Sequence, residues 1–268
     1  MSAVRLRFVT ETKLPVDARQ LSPAKLAGKS AAELEGLRLL VGNRELPLGE
    51  LAEVTAGDSA ILQIEGAFAG LDRLGHGMAE GRIEVYGDVG AYLGQGMRGG
   101  RIELFGSAGV HAAAGMRGGT IHITANAGDF LGAALPGDPA GMAEGVVMVG
   151  GDAGDRVGDR MRRGLIAVHG RTGDYPASRM IGGTIVALRG CGIDPGYAMR
   201  RGSLYLGHEP GNMLGTFAAN GTHELGWLRL LSRLMAAQEP PLALPGIRVE
   251  RWTGCASVGG KGEILVSA

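Results

Sequence analysis

The sequence predicts a mainly β protein. The expected architecture is a right-handed parallel β-helix of about seven 19-residue turns, with a small N-terminal α/β cap and a C-terminal helix. Three observations predict it. A methionine followed three residues later by glycine recurs at Met78, Met97, Met116, Met142, Met161, Met180 and Met199, at intervals of 19, 19, 26, 19, 19 and 19 residues. A fixed period of that length is the mark of a solenoid. Each Met-x-x-Gly then leads into an alternating aliphatic pair: Ile83/Val85, Ile102/Leu104, Ile121/Ile123, Val147/Val149, Ile166/Val168, Ile185/Ala187 and Leu204/Leu206. A period of two is that of a strand. Finally, glycine supplies 49 of 268 residues, far above the usual ~7 %. Without a collagen triplet, so much glycine requires many tight turns or close backbone stacking.

In chain order, residues 3–9 alternate apolar and charged, as a half-buried strand does. Ser22-Pro23 opens a short helix with proline at its first position. Ser30 and Glu33 form a capping box for a second, running to about Gly36. Leu37–Val41 reads as a strand, Gly42-Asn43-Arg44 as a turn and Leu48–Thr55 as a mixed apolar segment. Residues 1–57 therefore form the cap, and 58–207 the repeats.

The second repeat fills its frame as Gly87, Gly90, Gly94, Met97, Gly100, Ile102 and Leu104. The first and last depart from it, with Phe68 and Leu71 opening one and Arg189 the other, as terminal repeats of a solenoid do. Stacked in parallel, each aliphatic sits ~4.8 Å from its counterpart, and the flexible methionine thioether fills the inner corners. No six-residue sub-period of a left-handed helix is visible, and parallel crossovers are generally right-handed. The fourth repeat carries seven extra residues around Leu135–Gly141, a loop that is either a working face or a neutral bulge.

Beyond the repeats, residues 208–268 form a third segment. His208–Gly221 reads as irregular and Thr222–Gln238 as a helix ended by Pro240-Pro241. Its apolar stripe is Leu225, Trp227, Leu228, Leu231, Leu234 and Met235. Covering an end or flank of the stack, it would close exposed strand edges. Val249–Trp252 and Ile264–Val266 read as short strands.

Basic and acidic residues balance at 27 each, so no global field favours nucleic acid or an anionic membrane. Arg5 and Arg7 come too early for a signal peptide, and no apolar run approaches the ~20 residues of a membrane span. The expectation is a soluble, cytoplasmic protein. Cys191 and Cys255 lack the spacing of a zinc or iron–sulfur site and read as buried, reduced thiols.

In a stack of this kind each repeat position becomes a ladder. Directly after the methionines stand Ala79, Arg98, Arg117, Ala143, Arg162, Ile181 and Arg200, with Arg163 and Arg201 next along. Arg98, Arg117, Arg162 and Arg200 are the candidate binding residues, for a chain of carboxylates held by bidentate pairs or for a partner subunit. A solvated edge is the alternative.

The outward residues beside the first aliphatic run Arg82/Glu84, Arg101/Glu103 and Thr120/His122, then Val146/Met148, Leu165/Ala167 and Thr184/Val186. That change from charged to apolar marks a partner-docking surface or the seat of the C-terminal helix. Asp129, Asp155 and Asp174 form a ladder better explained by turn formation than by a metal. The histidines (76, 111, 122, 169, 208 and 223) share no metal spacing, and no nucleophile–base or phosphate-loop signature is present. The expected inventory is no catalytic residue, no metal ligand and no cofactor bound by this chain.

The glycine–methionine frame over residues 66–207 resembles the GXGXG β-helix domain of the glutamate synthase large subunit. The segments Leu21-Ser22-Pro23, Ala27-Gly28-Lys29-Ser30, Val41-Gly42-Asn43 and Leu48-Gly49-Glu50-Leu51 precede it. That combination is similar to the C subunit of formylmethanofuran dehydrogenase, which is also found in the formyltransferase/hydrolase complex of methylotrophic bacteria. Arginine over lysine and abundant alanine suit the bacterial complex. The resemblance implies a non-catalytic structural subunit in one-carbon metabolism. Its complex would move a formyl group from formyl-tetrahydromethanopterin to a methanofuran-type carrier and release formate. The implied partners are a formyltransferase subunit, an amidohydrolase-like subunit and a further subunit. Glutamate-containing carrier tails would suit the arginine ladder. The archaeal dehydrogenase, a glutamate-synthase-like spacer and a stand-alone polysaccharide lyase are the alternatives; the last needs a groove of converging acids that the sequence lacks.

Overall fold

A strand follows every Met-x-x-Gly. The seven are Arg82–Gly87, Arg101–Phe105, Arg117–Ile123, Glu144–Val149, Leu165–Val168, Thr184–Ala187 and Ser203–Leu206. These belong to a computed structural model that describes residues 2–10, 12–238 and 241–268. Neighbouring strands pair in parallel, in a register that stacks Ile83, Ile102, Ile121, Val147, Ile166, Ile185 and Leu204 on one another.

The sheet runs on at both ends to thirteen strands. Before the repeats, Ile61–Ala67 pairs in parallel with Val4–Phe8, and Ala52–Thr55 closes that edge antiparallel. After them, Gly262–Ser267 adds in parallel to Ser203–Leu206, followed by antiparallel Arg248–Gly254 and Ala218–Glu224. A second sheet of four strands holds Arg44–Pro47, Arg38–Val41, Val16–Asp17 and Leu71–Asp72. The fold is mainly β, and no helix among the described residues is long and apolar enough to cross a membrane.

The inner core is a file of the stacked aliphatics and all seven methionines, of which Met97, Met116, Met142, Met161, Met180 and Met199 are fully buried. Close packing of repeats explains the double glycine after Met116. A Cβ at Gly118 would run into the Arg98 carbonyl oxygen one repeat back, and backbone cannot move aside cheaply. Gly119 has φ +86, a region that costs a non-glycine residue ~1–2 kcal/mol.

Between the strands the chain adopts the left-handed region at alternate residues, as at Tyr92, Gly94 and Gly96. Their amides point alternately to the two neighbouring repeats: Tyr92 donates to the Val110 oxygen at 2.9 Å, Gly94 back to Leu74 at 2.8 Å, and Gly96 forward to Ala114 at 2.9 Å. Inter-repeat hydrogen bonds thus satisfy the backbone where no strand exists. A further ladder of single parallel bridges joins Val89, Ala108, Ala127, Ala153 and Thr172, so five successive repeats are also joined at a second place, outside the strands.

The two short helices begin where expected. Pro23–Leu26 starts on its proline, and Ser30 and Glu33 close a capping box on Ala31–Glu35. Other segments need correction. Arg44 begins a strand rather than completing a turn. Residues 218–224 are a strand, not irregular chain or helix, because they pair with Arg248–Gly254. The helix is therefore shorter, Trp227–Ala236, beginning after Gly226. Pro240, expected to stop it, lies outside the described residues.

Most of the apolar outer face of the later repeats is covered by the chain itself. Met148, Leu165, Ala167, Val186 and Tyr205 are buried in a second core with Leu228, Leu231 and Met235 of the helix, Leu242, and Val249 and Leu265 of the closing strands. The chain covers its own patch, because leaving those side chains in water would forgo roughly 1.5–3 kcal/mol each. The charged half of the same face is an ion-pair network. Arg82 Nε lies 2.9 Å from Glu84, Arg82 also pairs with Glu103, and Arg101 Nε reaches Glu103 at 2.7 Å.

Candidate functional site

The four candidate arginines occupy one position of the repeat, fixed by the backbone. The amides of Arg98, Arg117, Arg162 and Arg200 donate to Met78, Met97, Met142 and Met180 at 2.7, 2.7, 2.8 and 2.8 Å. Each methionine is buried, so the next side chain is turned outward, and all four arginines are exposed. None makes an ion pair among the described residues.

They do not form one continuous track. The insertion after Ala134 stands across this edge and leaves a cleft on either side. One, of about 270 Å³, is lined by Arg98 and Arg117 together with His76, Gln95, Leu135 and Asp138. The other, of about 360 Å³, is lined by Arg200 with Pro139, Arg160, Arg179, Ile181 and Val258. Arg162 lines neither.

In the first cleft two guanidiniums face a pair of neutral polar groups. Burial holds the His76 imidazole below its ordinary value, with Gln95 working weakly against that. His76 Nδ1 and Gln95 Oε1 lie buried without a hydrogen bond of ordinary geometry. Two unpaired arginines, a neutral imidazole and an amide make a receptor for an anion with further donor and acceptor groups. The cleft contains one carboxylate, Asp138, and no nucleophile beside a base.

In the second cleft only Arg200 is uncommitted. Arg179 is tied to buried Asp159 by Nε at 2.9 Å and by a second bond through Nη2, and that hydrogen bonding raises its pKa. Arg160 Nη1 donates to the Asp138 oxygen at 3.1 Å.

The aspartate ladder is structural. Asp129 accepts from the Asp155 amide and Asp155 from the Asp174 amide, each at 2.8 Å, and Asp174 from Ile193 at 3.0 Å. No group of three potential ligands converges among the described residues. Both cysteines are free and buried. Burial pushes the Cys191 thiol up to about 12. Burial works the same way on Cys255, but its hydrogen bonding with Ser257 and Thr216 outweighs it and leaves that thiol below its ordinary value.

One ladder escapes a search for chemical motifs. Arg73 lies over the Tyr92 ring at 5.0 Å, Tyr92 stacks on His111 at 5.5 Å, and His111 on Phe130 at 4.8 Å. Arg156 covers Tyr175 at 4.9 Å in the same way. All six residues have positive φ. The sequence signal was the common 19-residue spacing, concealed because arginine, tyrosine, histidine and phenylalanine share no motif.

No family model matches the chain. Over 93 residues it is 42% identical to the C subunit of the formyltransferase/hydrolase complex Fhc of Methylorubrum extorquens, a stretch covering 35% of this chain and 34% of that relative. Over 86 residues it is 33% identical to the C subunit of the molybdenum-containing formylmethanofuran dehydrogenase 1 of Methanothermobacter wolfeii, covering 31% and 22%. The matched stretches thus span about a third or less of the length of these two curated relatives. The structural match is much longer. A chain in the X-ray crystal structure of the formyltransferase/hydrolase complex (FhcABCD) from Methylorubrum extorquens in complex with methylofuran superposes with TM-score 0.90 and 40% identity, over 98% of this chain and 99% of that one.

Proposed function

The chain belongs to the C-subunit family of formyltransferase/hydrolase complexes, and from that premise we propose that it is a structural subunit of such a complex. The complex would transfer a formyl group from formyl-tetrahydromethanopterin to a methanofuran-type carrier and hydrolyse it to formate. The observation that carries this reading is the end-to-end likeness to the FhcABCD chain at 40% identity. The bacterial relative also matches at 42% identity, against 33% for the first archaeal dehydrogenase relative, which favours the hydrolase complex.

In this reading the 19-residue repeats are seven turns of a right-handed β-helix over residues 58–207. Residues 1–57 form the cap, and 208–268 close the other end. The partners are a formyltransferase subunit, an amidohydrolase-like subunit and a further subunit, assembled in the cytoplasm. The chain itself holds no active site. A scaffold needs rigidity, and a thirteen-stranded sheet over a file of buried methionines supports that role. Arg98 and Arg117 bind a carboxylate-rich tail of the carrier or an acidic partner surface, while Arg162 and Arg200 contribute from separate places on the same edge.

Native mass spectrometry of the protein purified from its own source tests the reading. A stable hetero-oligomer containing formyltransferase and amidohydrolase-like subunits is expected. A monomer, or a homo-oligomer free of such subunits, would contradict it.

A further inference from the structure

The helix Trp227–Ala236 carries one wide apolar stripe, with Arg229, Ser232 and Arg233 on the opposite face. Leu228, Leu231 and Met235 face the second core. Along the other edge of that stripe Trp227, Leu230 and Leu234 are 36%, 66% and 48% exposed. An apolar stripe of this kind is ordinarily packed against a neighbour along its whole width, yet among the described residues nothing covers that edge. Beside it runs an open groove of about 430 Å³, walled by Val146, Leu165, Leu231 and Leu234 and floored by the close-packed backbone at Gly145 and Gly164. Leu234 belongs both to the exposed stripe and to the groove, so the two make one surface.

Charge selects the occupant. The helix carries Arg229 and Arg233, both exposed, and no acidic residue. A second copy docked through the same helix would bring the arginines of the two copies together, and like charges across an interface work against pairing. Glu144 is the one acid on the groove among the described residues. The strand leading into the helix, Ala218–Glu224, is the last of its sheet and almost wholly exposed. Its outer edge is unpaired among the described residues, the kind of edge that another chain's strand pairs with.

We propose that this helix side and groove are the docking site for another polypeptide, through an apolar segment flanked by carboxylates. The occupant is a partner subunit, not a second copy of this chain; the inference therefore rests on the chain being a subunit. Trp227 and the two leucines would be its anchors, since large side chains excluded from water carry most of an interface's energy. Arg229 and Arg233 would steer association and make it sensitive to salt.

The test uses the full-length protein in its source, with two double variants: Leu230→Ser with Leu234→Ser, and Arg229→Glu with Arg233→Glu. These residues are exposed, so both variants should fold, which circular dichroism and thermal melting check. A photo-reactive amino acid at position 230 gives an independent reading. The expected results are at least tenfold weaker retention of a partner subunit in each variant, and a cross-link from position 230 to an acid-flanked apolar segment of that subunit. A wild-type chain that assembles with nothing contradicts the subunit reading itself. If the wild-type complex forms but both variants keep its composition and stability, the docking site alone is overturned. A cross-link to a second copy of this chain also overturns it.

Discussion

Arg160 Nη1 donates to the main-chain oxygen of Asp138 at 3.1 Å, fastening the insertion to the repeat stacked behind it. Asp138 lines the first cleft and Arg160 the second, so this bond ties down the middle of the partition, while the Ala134 and Gly141 amides anchor its ends on the Asp159 and Arg160 oxygens at 3.0 and 2.9 Å. The net worth of the Arg160–Asp138 bond is ~0.5–1.5 kcal/mol. Arg160→Ala should leave the melting temperature nearly unchanged while amide exchange rises across residues 134–141. Unchanged exchange there would mean that packing, not this bond, holds the loop.

Arg98 and Arg117 are exposed and uncommitted, so replacing them should not unfold the protein. With a polyglutamate peptide as probe, Arg98→Gln with Arg117→Gln should weaken binding by about tenfold or more, since charge-assisted hydrogen bonds contribute ~1.5–3 kcal/mol. Raising the salt should weaken the wild type more than the variant. Adding Arg162→Gln should have a smaller effect, because Arg162 lines neither cleft. Equal affinity of wild type and variant, measured by calorimetry, would remove these residues from the account.

The stack depends on its buried corners. Met116→Ala should cost ~2–5 kcal/mol in chemical denaturation, and Met116→Asp should abolish soluble protein by burying a charge. Gly118→Ala, which adds only a methyl group, should also destabilise strongly, because that methyl meets the Arg98 carbonyl. A Gly118→Ala protein as stable as the wild type would show that the repeats can move apart.

Acid should weaken the fold in two steps. Burial holds His111, stacked between Tyr92 and Phe130, below 6.5. The unfolded chain therefore takes up this proton first, and stability falls as the pH drops through 6.5 toward the folded value. For Glu103, burial raises the pKa, but the Arg82 and Arg101 guanidiniums outweigh it and hold the carboxyl below 4.5. Its stabilisation is complete above 4.5 and is lost below, as the pH falls through the folded value. Melting curves between about pH 8 and 3 should show both losses, and His111→Phe should shrink only the first, leaving the part due to His76, which burial also holds low.

Much of this fold could be read from Met97, Gly100, Ile102 and their counterparts, because a stacked architecture forces the same residue type to recur wherever the backbone makes the same demand. The strand at 218–224 was hidden because its sequence, Ala-Ala-Asn-Gly-Thr-His-Glu, has no apolar alternation; pairing with Arg248–Gly254 makes it a strand. The apolar outer face was legible in Met148, Leu165 and Val186, but its covering by Leu228, Leu231 and Met235 is a long-range contact that no local pattern encodes. At the candidate site the period located Arg98, Arg117, Arg162 and Arg200. It could not foresee that the insertion would separate them, since a protruding loop's path is set by contacts such as the Arg160–Asp138 bond.

The account stands most directly on reconstitution of the complex with and without this chain, following formyl transfer and formate release. The catalytic subunits should lose stable assembly and coupled turnover when the chain is omitted, and regain both when it is added back, while the chain alone releases no formate. Full assembly and turnover without it, or formate release by the isolated chain, would contradict the claim that its work is structural.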